Sequence, residues 1–447
     1  MEITAITNTS EQVLFKKYKN KPYFIYLDSS DTNSKWSQFS FMCFEPMFII
    51  ESHNGLTSKI KPTKTTKISG NPFDILNTNL KEFEINEETD ISPFIGGAVG
   101  YISYEATQYL PETIPSHIFE NTKNALPEIW FGFYNQVIVI NKKTDQKWYI
   151  KTNFNTKKLL TDLFPPQKIQ PKNKPTSNFT KEDYLKTLKK TKDYIKEGDI
   201  YQANISHRFS TNLFCEPLEL YQNLRAVSPA PYSAFLNCGN HQILSSSPEL
   251  FINIENNKII TRPIKGTIAK TTNQAQNKKN IETLKNSEKD KAELTMIIDL
   301  ERNDLGQICK YGTVSVPEYI TLEEYSHVYH LVSTVKGTLK DNISSIDAIK
   351  PLLPGGSITG APKIRAMEII SELETVSREI YTGCIGYIGF NRNASFNIAI
   401  RTIYTLDNQL HFHVGGGIVA DSDPESEWEE TLTKAAGIIK TISQKTT

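Results

Sequence analysis

Residues 351–363 read Pro-Leu-Leu-Pro-Gly-Gly-Ser-Ile-Thr-Gly-Ala-Pro-Lys and run on into Ile364-Arg365-Ala366-Met367-Glu368-Ile369-Ile370. A glycine-rich loop opens directly into a helix. Pro362 suits the first helical turn, where a missing N–H is no loss. Ile364, Met367, Ile370 and Leu373 recur at helical spacing, so one face packs inward. Small residues ahead of a pinned helix start leave backbone N–H groups bare, and the helix dipole there favours an anion. Gly355, Gly356, Thr359 and Gly360 crowd together with Ser357 in this loop. Their spacing is neither a Walker A loop nor a dinucleotide fingerprint. The expected guest is a carboxylate, not a nucleotide.

Around this stretch, the chain beyond residue 178 alternates helix and strand patterns. Thr180 and Gly198 bracket a helix from Lys181 to Glu197. Strands are expected over Asp199–Phe209, Ile259–Ile264, Gly383–Phe390, Ser395–Thr405 and Gln409–Val414. Helices are expected near Leu218–Ala226, over Ser287–Leu300, and at the C-terminus. Residues 1–165 read as strands with polar turns: Lys21–Leu27, Phe41–Ile50 interrupted by Pro46, Pro93–Tyr101 and Phe131–Ile140. Asn54-Gly55 is a hairpin signal. Between Phe164 and Asn178, four prolines sit among Lys, Gln and Asn with no apolar period. A domain boundary is expected there, between an N-terminal region 1–165 and a catalytic region 178–447. Mixed helices and long strands point to an α/β or α+β fold built on two large sheets.

With 447 residues the chain can bury a large core. Lys plus Arg number 50 and Asp plus Glu number 50, which argues against a nucleic-acid or membrane-surface partner held by bulk charge. The five cysteines are scattered, with no Cys-x-x-Cys pair, so neither a zinc site nor a disulfide framework is expected. No signal-peptide pattern or membrane-length apolar run is present, and a cytoplasmic protein is expected.

Several side chains stand out as candidates for chemistry. On the last helix, Glu427, Glu430 and Lys434 share a face, and Gly415-Gly416-Gly417 leads toward them. Alone, such a face is more often a solvated ion-paired surface. Ser422 is the expected cap, with Glu425 at capping-box spacing. Glu293 precedes a nearly unbroken apolar run, where a carboxylate is costly unless paired or metal-bound. With no His/Cys cluster the suited metal is Mg²⁺, which takes oxygen ligands and often only one or two protein carboxylates. Lys265 ends a strand beside Gly266, and in a partly apolar cleft its amine would be a nucleophile. Glu249 ends the preceding strand pair and would serve as a general acid or base.

Taken together, the residues 355–363, Asp299-Leu300-Glu301-Arg302-Asn303-Asp304, His330-Leu331-Val332-Ser333, Ile400-Arg401-Thr402, Gly415–Val419 and the Glu427/Glu430/Lys434 helix resemble the chorismate-utilising enzyme family. That family includes the synthase subunits for anthranilate, aminodeoxychorismate, isochorismate and salicylate. The N-terminal region is similar to the amino-transferring members through Asn71-Pro72-Phe73 and Pro93–Tyr104. The resemblance implies a sandwich of two large antiparallel sheets with outer helices. It implies Mg²⁺ held by Glu293 and Glu430 with Glu427 close by. Chorismate would be bound by Arg401, Lys434, Tyr381 and the backbone of the glycine turns at Gly355, Gly356, Thr359, Gly360, Gly416 and Gly417. Glu249 would be the acid that helps the C4 hydroxyl leave, Lys265 the amine that attacks C2, and Thr267 and His330 active-site neighbours.

Pro263-Ile264-Lys265-Gly266-Thr267 resembles the branch that makes aminodeoxychorismate, where anthranilate-forming members typically carry alanine for the lysine. This implies conversion of chorismate and ammonia to 4-amino-4-deoxychorismate, for p-aminobenzoate and folate synthesis. No cysteine lies in a nucleophile-elbow context, so a separate glutamine amidotransferase subunit is expected to supply the ammonia. The rival expectations are an anthranilate synthase component, opposed by Lys265, and an inactive chorismate-binding regulatory subunit. The second is opposed by Lys265, Glu249, Glu293 and Glu430 all being in place. Some relatives bind tryptophan at a Leu-Leu-Glu-Ser segment. Here Tyr26-Leu27-Asp28-Ser29 keeps one leucine and the serine, making Ser29 the candidate position for such a site.

Overall fold

Alternation decides the layers. In the strand Gln136–Asn141, Val137 and Val139 face one core while Ile138 and Ile140 face another. A strand buried on both faces needs a layer on each side. The computed structural model describes residues 1–86, 89–110, 114–119, 123–154, 159–161, 164 and 167–444. Within them, two sheets of twelve strands each pack face to face. Every pairing between named strands is antiparallel. The expected sandwich of two large antiparallel sheets with helices outside is what forms.

The core between the sheets takes Phe41, Val139, Leu236 and Ile243 from one sheet and Val99, Trp130, Ile385 and Tyr387 from the other. Helices Glu11–Tyr18, Pro217–Val227 and Pro424–Ser443 cover the outer face of the first sheet. Helices Pro72–Lys81 and Glu288–Ile308 cover the second.

Each sheet draws strands from both sides of the proline-rich stretch, so the 1–165 and 178–447 regions share one framework. Ile25–Asp28 pairs with Tyr232–Asn237, and Gly97–Ile102 pairs with Cys384–Gly389. Pro165 and Pro166 lie outside the described residues. The following segment runs along a sheet edge, with Thr176–Ser177 paired to Phe209 and Ser210.

Three expected strands are each divided. Ser395–Thr405 breaks after Ile398, with Ala394–Ile398 in the second sheet and Thr402–Leu406 in the first. Phe131–Ile140 breaks at Asn135, with Ile129–Tyr134 in the second sheet and Gln136–Asn141 in the first. Ile259–Ile264 breaks at Pro263, which cannot donate to a ladder. Lys258–Arg262 and Ile264–Ala269 then pair in succession along Val328–Thr338.

Candidate active site

The site gathers where the strand Gln409–Ile418 ends beneath the C-terminal helix, beside Glu288–Ile308 and the edge strand Ile264–Ala269. Asp423, not Ser422, caps the C-terminal helix, accepting from Ser426 N–H at 2.9 Å. Ser422 instead donates to Glu427 Oε1 at 2.6 Å, which fixes that carboxylate. Glu427 is buried, and burial together with the charge of Glu430 pushes its pKa up. Glu430 and Lys434 pair at 2.8 Å on a face where their side chains are 53% and 44% exposed. Lys434 also donates to the Gly415 carbonyl at 3.0 Å.

The three glycines exist because the site crowds them. A Cβ on Gly416 would lie 3.1 Å from Glu427 Oε2, and one on Gly417 would lie 3.1 Å from Glu293 Oε1 and closer still to Gln202. A Cβ on Gly415 would meet the Tyr381 hydroxyl at 2.9 Å. Tyr381 stacks on His413 at 5.3 Å, and burial raises its phenol to about 12.

Lys265 meets a carboxylate, not an apolar wall. Its Nζ donates to Glu293 Oε1 at 2.6 Å, with side-chain exposures of 13% and 15%. Gln202 Nε2 donates to the same oxygen at 2.6 Å. Burial pushes the Glu293 pKa up, but Lys265 and Gln202 outweigh it, so the carboxyl stays below the ordinary range. Gly266 has φ +71°, and a Cβ there would sit 3.0 Å from Asp290. Its ladder slips at that residue, so only glycine lets the lysine strand lie this close to the Glu293 helix.

Glu249 occupies the opposite side. Its Oε1 accepts from Ser357 Oγ at 2.8 Å and Ile264 N–H at 3.3 Å. Burial pushes its pKa up, against the pull of Ser357, Lys265 and Arg401. Ser357 belongs to the glycine-rich loop, whose other members are committed to packing. Gly356 leaves room for Leu300, Gly360 for the Gln202 backbone, and Gly355 gives its carbonyl to Thr359 Oγ1 at 2.8 Å. The helix after the loop begins at Lys363, with Pro362 as its cap residue.

Arg401 holds a left-handed φ of +49°, a conformation that costs about 1–3 kcal/mol and is kept where surroundings enforce it. Among the described residues nothing accepts a hydrogen bond from its guanidinium. Burial lowers its pKa and the charge of Glu249 opposes that, so it is a partly desolvated cation fit for an anion. Thr267 Oγ1 and His330 Nδ1 lie 2.8 Å apart. Burial and Arg401 push the His330 pKa down to about 3, so its ring is neutral, and its buried Nε2 has no partner among the described residues.

A model of the family described as "chorismate binding enzyme" matches residues 22–440. The chain belongs to the chorismate-binding enzymes. Anthranilate synthase component 1 of Acetivibrio thermocellus is 34% identical, covering 96% of this chain and 92% of the relative. Aminodeoxychorismate synthase component 1 of Escherichia coli is also 34% identical, over 96% and 95%. The crystal structure of anthranilate synthase component I from Streptococcus pneumoniae superposes with a TM-score of 0.78 at 29% identity, covering 91% and 93%. The protein is thus a chorismate-utilising enzyme of the anthranilate synthase I and aminodeoxychorismate synthase family.

As a chorismate-binding enzyme it has a donor set that suits a hard cation. Glu293 Oε2 and Glu427 Oε2 have no hydrogen-bond donor among the described residues. Those residues contain no group of three His, Cys, Asp or Glu that would hold a metal unaided. Two carboxylates completed by water and a substrate oxygen fit Mg²⁺.

The sequence reading gives Gln202 no role, and Ser357 none beyond its place in the glycine-rich loop. Gln202 alternates with Ala203 and Ile205 at the start of a strand, so an inward polar residue was visible but its target was not. Ser29 lies apart from this site. It lines a separate cavity of about 630 Å³ with Trp36, Tyr232 and Asn397. Its hydroxyl donates to the Phe39 carbonyl at 2.7 Å. Among the described residues no helix is long and apolar enough to cross a membrane.

Proposed function

We propose that this chain is the chorismate-aminating component of aminodeoxychorismate synthase. The observation that carries the reading is Lys265, set between Glu293 and the buried acid Glu249. Arg401, Lys434, Tyr381 and the N–H of Gly417 bind and orient chorismate, while Gly416 faces Ile205 in the strand ladder. As a neutral amine, Lys265 Nζ bonds to C2 while the ring double bonds shift, the C4 hydroxyl leaves as water with a proton from Glu249, and the proton shed by Nζ returns to the Glu249 carboxylate. Ammonia then bonds to C4, and the bond from C2 to Lys265 breaks. One substitution becomes two easier ones. A Mg²⁺ ion on Glu293 and Glu430, with Glu427 close by, would offset the charge of a substrate carboxylate.

The ammonia would come from a glutamine amidotransferase subunit. Glutamine hydrolysis needs an accessible thiolate, and all five cysteines here are buried. Burial raises the thiol of Cys309 to about 11 and that of Cys215 to about 12. Relatives at the same identity are named for both products, so anthranilate is the alternative product, and Lys265 speaks against it. Incubation with chorismate, Mg²⁺ and an ammonium salt, followed by product identification, decides between them. Aminodeoxychorismate is the expected product, and anthranilate as the main product would overturn the reading.

A further inference from the structure

Glu293 Oε1 is already taken twice, by Lys265 Nζ and by Gln202 Nε2, both at 2.6 Å. The Lys265–Glu293 pair is largely enclosed, so bulk water screens it little. A cation bound at the free Oε2, about 2.0–2.1 Å from it, would share this one carboxylate with the Lys265 ammonium held on Oε1. Two cations crowded on one carboxylate in a half-closed cleft repel strongly. From this geometry we propose that Lys265 is the resident counter-ion of Glu293 and that a divalent cation replaces it there. The exchange frees Lys265 to face the substrate.

Resting on the proposed function above, the idea adds an order of events: metal first, then the amine. Two features give Lys265 somewhere to go. The ladder slips between Lys265 and Thr267, and the intervening Gly266 has a backbone that side chains other than hydrogen would strain. On the other side, Glu249 accepts from the N–H of the adjacent Ile264 and feels the charge of Lys265. The amine therefore moves between two carboxylates, from the metal side to the acid side. Coupling of this kind is reciprocal: whatever the metal does to Lys265, Lys265 does to metal affinity.

The test is calorimetric titration of Mg²⁺ into the purified full chain without chorismate. Wild type is compared with Lys265→Met, Lys265→Gln, Lys265→Arg, Lys289→Met and Glu293→Gln, each checked for a wild-type circular dichroism spectrum. Lys289 lies 4.0 Å from Glu427 Oε1 and serves as the control for long-range charge. Lys265→Met and Lys265→Gln are expected to bind Mg²⁺ at least about tenfold tighter, a change of about 1.4 kcal/mol. Lys265→Arg should stay near wild type, and Lys289→Met should change less than about threefold. A crystal structure with Mg²⁺ should show Lys265 Nζ beyond hydrogen-bond reach of Glu293. Wild-type affinity in both neutral variants, or an equal gain in Lys289→Met, overturns the exchange while leaving the metal assignment intact. Undiminished binding by Glu293→Gln, or none by wild type, overturns the metal assignment and the exchange with it.

Discussion

Two glutamates face each other across this site, and their surroundings make them opposites. Glu249 is enclosed by the strand end, the glycine-rich loop and Ile264, with a hydroxyl and an N–H on one oxygen. Burial dominates there and favours the neutral acid. Glu293 is nearly as enclosed but has an ammonium and an amide on one oxygen, which favours the carboxylate. One side of the cleft is thus made to give a proton and the other to hold a cation. Environments that push two like groups apart assign the acid and the charge-holder without reference to sequence position.

The largest expected effect comes from removing what lies between the two. Lys265→Ala should lower aminodeoxychorismate formation by about 10³-fold or more while leaving the fold intact. Lys265→Arg keeps the charge but not the nucleophile and should be almost as poor. Steady-state assay with ammonia checks both.

On the acid side, Glu249→Gln should cost about 10²–10⁴-fold in turnover. The raised pKa keeps Glu249 protonated to higher pH than an ordinary glutamate. Wild-type turnover should therefore fall as pH rises through that value, and the limb should be missing from the variant's residual rate. A limb that persists in Glu249→Gln would assign the proton to another group. On the charged side, Glu293→Gln should cost on the order of 10²-fold and weaken Mg²⁺ binding in calorimetry.

A third buried glutamate sharpens the contrast without touching substrate. Glu301 Oε2 has no partner among the described residues, and burial raises the Glu301 pKa to about 8, with Glu249 and Asp304 adding to the rise. Between pH 4.5 and 8 the fold keeps its proton while the unfolded chain loses it. Stability from this group is complete below pH 4.5 and is lost as pH rises toward 8. Glu301→Gln should then be neutral near pH 4.5 and stabilising by a few kcal/mol near pH 8, seen as a pH-dependent gain in Tm. An equal Tm shift at both pH values would mean that packing, not the proton, is at stake.

The smallest effect is expected at Ser29. It lies in a different cavity, so Ser29→Ala should change turnover by less than about twofold.

The legibility of these parts in the sequence follows the range of the forces that set them. Glu427, Glu430 and Lys434 sit at spacings one helix imposes, and the glycine run 415–417 announces close approach. Those features are local and readable. Gln202 acquires meaning only because its strand ends beside a helix ninety residues away, and no spacing encodes that. The crossing at Asn135 is hard to read, since only Asn135-Gln136 interrupts an otherwise apolar run and both halves are buried on two faces. The hairpin Ser315–Thr338, which carries His330 to Thr267, lacks clean alternation because its register shifts twice. The glycine-rich loop was legible as a tight structure but not in its use, because Leu300 and the Gln202 backbone that fill its hollows come from elsewhere in the chain.

The opposition between the two sides of the cleft is tested most directly by withholding ammonia. Wild type with chorismate and Mg²⁺ should then accumulate a covalent adduct of chorismate less water. Quenching and peptide mass spectrometry should place it on the peptide carrying Lys265, and it should be absent from Lys265→Arg and much reduced in Glu249→Gln. No adduct on Lys265 under any quench, together with near-wild-type turnover of Lys265→Arg, would contradict the account.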